Sequence, residues 1–205
     1  MTCATRDRYP DGDAPLATED GAVHITTDSP GRDDVRRLLD EHLTDMFATS
    51  PADSVHALDH SALLAPTITF WTARDDDTLL GCAALSELDP PTSPEPGTAP
   101  GTEPRTPARH GEIKSMRTTA PARGRGVASA LLRTVLTEAE RRGYTRVSLE
   151  TGTQDFFAPA RRIYARHGFT PCDPFGSYVP DPHSVFMTLE LPAAPRPAAA
   201  GRAGS

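Results

Sequence analysis

The stretch "TTAPARGRGVASALL", residues 118–132, sets two glycines and two arginines in front of an aliphatic run. "GEIKSMRT" (111–118) before it alternates like a strand, with Ile113, Ser115 and Arg117 opposite Glu112, Lys114 and Met116. After it, Val127, Leu131, Leu132, Val135, Leu136 and Ala139 recur at helical spacing, and Gly143 supplies the stop. The spacing predicts strand, short loop and helix, the helix opening near Gly126. The first N–H groups of a helix have no internal partners, and the macrodipole makes that end partly positive. Gly124 and Gly126 lack Cβ, so an anion can approach the backbone closely. Arg123 and Arg125 add charge and forked donors. Residues 123–128 therefore read as a phosphate cradle.

Two phosphate motifs compete for it. A Walker A loop needs GxxxxGK[ST], and Lys114 is the only lysine in the chain. A dinucleotide fingerprint is nearer, since Gly124-x-Gly126-x-x-Ser129 misses only its last glycine, and Glu150 ends a strand at about the right distance. Its first strand should be an almost continuous apolar run, whereas "GEIKSMR" is half polar.

Upstream, "GAVHITT" (21–27) reads as a strand, and "DDVRRLLDEHLTDMF" (33–47) as a helix with Val35, Leu38, Leu39, Leu43, Met46 and Phe47 inward and His42 on the same stripe. A loop with a short helix is expected over 50–66, then a hairpin of "TITFWTAR" (67–74) and "LLGCAALSEL" (79–88). Residues 90–107 hold 7 prolines, so a flexible insertion at about 89–110 interrupts one domain. Downstream, "YTRVSLET" (144–151) is a strand and "APARRIYARHG" (158–168) a helix. "FTPC" (169–172) and "SVFMTLEL" (184–191) close the pattern. Residues 1–20 and 192–205 read as disordered tails around a domain spanning 21–191. The element order predicts a mixed α/β domain.

Charge is unevenly spread. Residues 1–103 carry 6 basic and 20 acidic side chains, and 104–205 carry 15 basic and 8 acidic. Net acidity argues against a nucleic-acid binder, while the basic half suits a compact anionic ligand. Cys3, Cys82 and Cys172 have no metal-ligand or disulfide spacing, so no metal is expected; Cys82 and Cys172 read as buried thiols of a reducing cytoplasm. No apolar run approaches the ~20 residues of a membrane span, and the N-terminus has no signal-peptide core. A cytoplasmic protein without membrane attachment is the expectation.

"RGRGVA" (123–128) resembles the R/Q-x-x-G-x-G/A signature of the GNAT acyl-CoA N-acyltransferase superfamily, and "APARRIYARHGF" (158–169) resembles its second signature, A-x-x-x-Y-x-x-x-GF. The strings "HGEIKSMRTTAPARGRG", "SLETG" and "PFGSYVPDPHSVFM" are similar to a bacterial subgroup of small-substrate N-acetyltransferases whose substrates are poorly defined. The resemblance runs from about residue 21 to 191. It implies the GNAT fold: a mixed, mostly antiparallel sheet of six to seven strands flanked by about four helices. One departure is Phe157, where many members carry asparagine.

The resemblance implies acetyl-CoA as donor and direct transfer in a ternary complex to a primary amine of a small molecule or peptide. The cofactor residues it implies are Met116, Arg117 and Thr118 along the pantetheine arm, and Arg123, Gly124, Arg125, Gly126, Val127 and Ala128 around the pyrophosphate. Tyr164 takes the place of the general acid beside the sulfur. Glu112 matches the general base of histone-type members, with Glu150 the rival carboxylate and His56 and His183 further candidates. The first helix, the 50–66 segment and a 173–183 loop with Phe175 and Tyr178 are expected to wall the acceptor pocket. Monomer and homodimer both fit. The rival functions are a non-catalytic acyl-CoA-binding module and a protein N-terminal acetyltransferase.

Overall fold

The computed structural model describes residues 16–18, 21–51, 60–88 and 109–192. Its elements are β1 (Leu16–Thr18), β2 (Gly21–Thr27), α1 (Asp33–Thr49), β3 (Ile68–Asp75), β4 (Thr78–Leu88), β5 (Arg109–Thr118), α2 (Val127–Arg141), β6 (Tyr144–Gly152), α3 (Ala158–Arg166), β7 (Thr170–Pro171) and β8 (Ser184–Glu190). One sheet contains every strand of the described residues, in the order β1-β2-β3-β4-β5-β6-β8-β7. All neighbours are antiparallel except β5 and β6.

The mixed, mostly antiparallel architecture is the expected one, with two differences of count. Leu16–Thr18, inside the stretch expected to lack structure, pairs with Gly21–Val23 as an added edge strand. Three α-helices stand where about four were expected among the described residues, because the part of the 50–66 segment that is described holds only a 3-10 turn, Ala62–Leu64. Residues 109 and 110, assigned to the insertion, belong to β5. Residues 89–108, 193–205, Cys3 and His56 lie outside the described residues.

Both faces of the sheet are covered. Leu131, Leu132, Val135 and Leu136 of α2 pack on Trp71, Leu85, Ile113, Val147 and Leu149. Val35, Leu38 and Leu39 of α1 pack on Phe70, Cys82 and Ala84 from the other side. Phe70 to Ala73 of β3 are therefore all buried, where a one-faced strand would alternate. Phe47, expected inside, is 57% exposed in the last turn of α1. Cys82 is fully buried, as expected, and burial pushes its thiol up to about 12. Cys172 is half-buried just past the two-residue β7.

The pairing of β4 with β5 changes phase once. Cys82 lies opposite Arg117 and Ala84 opposite Lys114, so Ala83 faces both Ser115 and Met116. Ser115 takes the left-handed region at φ 50, and its carbonyl accepts a hydrogen bond from Cys82 Sγ at 3.4 Å. This is a β-bulge, and it inverts every later side chain of β5. The alternation expected for 111–118 is therefore corrected beyond Lys114. Met116 joins Ile113 on the α2 and α3 face, and Arg117 joins the α1 face, where it meets Asp45.

Candidate active site

Parallel pairing of β5 with β6 ends at Ile113 and Leu149. Beyond that point β5 continues to Thr118 on β4 alone, and β6 continues to Gly152 on β8 alone. The two strands part, and the β6-facing edge of β5 past Ile113 has main-chain groups outside the ladder. A cleft of about 670 Å³ opens there. Met116, Arg117 and Thr118 line one wall, the start of α2 a second, and Pro159, Ala160, Ile163 and Tyr164 of α3 a third.

At the α2 end, Gly124 and Gly126 sit at φ 79 and φ 82, and a Cβ built on either meets nothing within 4 Å. The first N–H inside the helix ladder belongs to Ala130, bonded to Gly126 O at 3.0 Å. The amides of Val127, Ala128 and Ser129 therefore precede the ladder and line the cleft. Arg123 N and Arg125 N donate to Ala120 O and Ala122 O in tight turns. Ser129, which the sequence reading did not name, joins Val127 and Ala128 in the lining. The Arg123 side chain lines the cleft. Arg125 is outside the lining and lies 3.8 Å from Asp75. These groups fit a pyrophosphate: bare backbone, a helix end and guanidinium charge.

Tyr164 stands at the opening between the strands. Its hydroxyl donates to Met116 Sδ at 3.6 Å, and its ring packs 5.8 Å from Phe169. Burial, then the charge of Glu150, raises its phenol, so it carries a proton at neutral pH. Phe157 also lines the cleft, edge-to-face with Phe156 at 5.0 Å. Its ring fills the space a side chain at Gly152 would take, with a built Cβ only 2.3 Å away.

Glu112 lies apart from the cleft lining and is 3% exposed. Lys114 Nζ is 2.8 Å from its Oε1, and Tyr178 Oη donates to the same oxygen at 2.6 Å. Lys114 also donates to Tyr178 Oη at 2.6 Å, closing a triad. Sequence reading singled out Glu112 and Tyr178 but not that they meet, and gave Lys114 no role. Phe175 and Phe186 pack against the Tyr178 ring at 5.2 and 5.3 Å. Glu150 accepts from Ser184 Oγ at 2.7 Å. His183 lies in the turn before β8, its N–H donating to Asp181 Oδ1. Neither residue is in the cleft lining.

Two histidines stay neutral. His110 shares a 2.8 Å hydrogen bond with Ser148, and burial with Arg146 holds its imidazole down at about 4. His42, on α1, lines the cleft, and burial followed by Arg117 lowers it to about 4. Unfolded histidine takes its proton near pH 6.5, so acidification favours the unfolded chain until the folded group also titrates. From pH 7 to pH 5, His110 is expected to remove about 2 kcal/mol of stability. Denaturant titrations at both pH values, for wild type and His110→Gln, check this; equal losses in the two proteins would refute it.

The sequence matches the Acetyltransferase (GNAT) family over residues 33–169. It is 46% identical over 169 residues to the uncharacterized N-acetyltransferase YsnE of Bacillus subtilis, covering 82% of this chain and 100% of that protein. It is 41% identical over 167 residues to the uncharacterized N-acetyltransferase YedL of Escherichia coli, covering 82% and 94%. A GNAT family acetyltransferase from Elizabethkingia anophelis with acetyl-CoA bound superposes with a TM-score of 0.52 at 16% identity, covering 82% and 98%.

Proposed function

Since the chain belongs to the GNAT acetyltransferase family and is an acetyl-CoA-dependent N-acetyltransferase, we propose that its acceptor is a primary amine of a small molecule or peptide, attacked directly in a ternary complex. The observation that carries this is the protonated Tyr164 hydroxyl at the point where β5 and β6 part, beside Met116. There it faces the cleft with the glycine cradle at the other end. The unladdered edge at Met116 to Thr118 receives the pantetheine arm. Arg123, Gly124, Gly126, Val127 and Ala128 receive the pyrophosphate, with Arg125 adding charge from outside the lining.

Tyr164 donates its proton to the departing thiolate. Glu112 takes the proton lost by the amine: both bonds fall on Oε1, which leaves Oε2 for it, directly or through a water. Lys114 and Tyr178 fix that carboxylate in place. No group of three or more His, Cys, Asp or Glu side chains that could hold a metal ion occurs among the described residues. No described helix is long and apolar enough to cross a membrane.

Free-thiol release from acetyl-CoA over an amine panel tests the reading. Tyr164→Phe is expected to lower kcat about 10²-fold, with the KM for acetyl-CoA within about threefold of wild type. Unchanged turnover in Tyr164→Phe would remove the general-acid role. A protein that binds acetyl-CoA yet acetylates no amine would be a binding module instead.

A further inference from the structure

One end of the cleft holds a polar notch that the donor residues leave unexplained. Arg117, turned onto the α1 face by the bulge, has a side chain 9% exposed. Its Nη2 donates to Asp45 Oδ2 at 2.5 Å. Its Nε is buried with no hydrogen-bond partner among the described residues, and so is His42 Nδ1. Both side chains line the cleft. Buried polar atoms without partners are costly, and these two belong to residues that line one cleft, so a ligand that engaged both would offset that cost.

The two atoms specify that ligand. Arg117 Nε–H can only donate. Neutral His42 donates from Nδ1 in one of its tautomers, so one oxygen-bearing group can accept from both. The cleft lining contains Arg117, Arg123 and Arg166 and no aspartate or glutamate. Asp45, the acid paired with Arg117 among the described residues, is 38% exposed, so water screens it, whereas the guanidinium it shares is buried.

Resting on the amine-acetylation reading above, we propose that Arg117 and His42 bind the carboxylate of the acceptor, and that the acceptor class is amino acids rather than simple amines. Arg117 Nε and His42 Nδ1 hold the carboxylate on the α1 side of β5. The amine then reaches back across the strand edge toward the thioester. Asp45 is a positioning residue that holds the guanidinium plane from its other donor.

The test uses α- and β-amino acids, each paired with its carboxamide and its decarboxylated amine. Thiol release should favour the acids by about tenfold or more in kcat/KM, the ratio expected for a charge-assisted hydrogen bond. Arg117→Gln should erase that preference. His42→Leu should weaken the preference, and His42→Asn, which restores a donor, should recover part of it. Amides used as well as acids would overturn the proposal. So would an Arg117→Gln effect confined to acetyl-CoA, since the notch would then serve the donor. If no amine turns over, calorimetric titration of the CoA-loaded protein decides. Binding of acids over amides supports the notch and refutes amine acetylation; binding of neither overturns the notch.

Discussion

Replacing Lys114 with methionine is expected to remove about 3–5 kcal/mol of folding stability, the usual loss when one partner of a buried ion pair is deleted. Glu112 is 3% exposed, and its Oε1 receives the Lys114 ammonium and the Tyr178 hydroxyl. Methionine matches the lysine stem and removes the charge, so packing is held while the carboxylate is stranded. A further result separates this cause from a packing defect. The double variant Lys114→Met/Glu112→Gln should regain most of the loss, because replacing both partners is far less costly than removing one. Guanidinium denaturation at pH 7 measures both variants. A single-variant loss below about 1 kcal/mol would place the pair among weak surface bridges.

Gly81→Ala is expected to cost about 3 kcal/mol, the upper range for overpacking. Gly81 lies on β4 opposite Thr118, and its built Cβ falls 2.7 Å from Arg117 O, 3.2 Å from Leu131 Cδ1 and 3.3 Å from Thr118 Cα. The first contact is main chain and cannot rotate away. Relief requires moving the end of β5 that forms the cleft wall, so acetyl-CoA affinity should fall together with stability. Gly31→Ala is the control: its Cβ meets only Ser29 Oγ, at 3.3 Å, and a side chain can yield. Denaturant midpoints with unchanged slopes give the stability difference, and calorimetric titration gives the affinity. Wild-type values for both in Gly81→Ala would refute the close approach of β4 to β5.

The glycine turn ahead of α2 was legible because its causes are local. Gly124 and Gly126 adopt the left-handed backbone that a side chain resists, and Val127 opens the helix just after them. The Tyr164 helix was legible for the same reason, with Gly168 at φ 92 ending it. Phe47 misled, because its helical spacing continues past the edge of the surface α1 covers. Ser115 itself gave no warning of the bulge, because serine carries no preference for φ 50; the one trace is the successive polar pair Lys114 and Ser115 between Ile113 and Met116, which breaks strict alternation in "GEIKSMRT".

The sequence by itself determined the order of the elements from β2 onward, the glycine turn ahead of α2 and the helix that carries Tyr164, since each is encoded within a dozen or so contiguous residues. Only the tertiary structure decided which face Arg117 and Met116 take, what surrounds Glu112, and which buried nitrogens lack a partner among the described residues. Those outcomes depend on pairings between residues far apart in the chain, Lys114 with Tyr178 and Arg117 with Asp45. Period and propensity describe neighbours along the backbone, whereas a buried charge finds its partner across the fold, and that partner decides what the charge does.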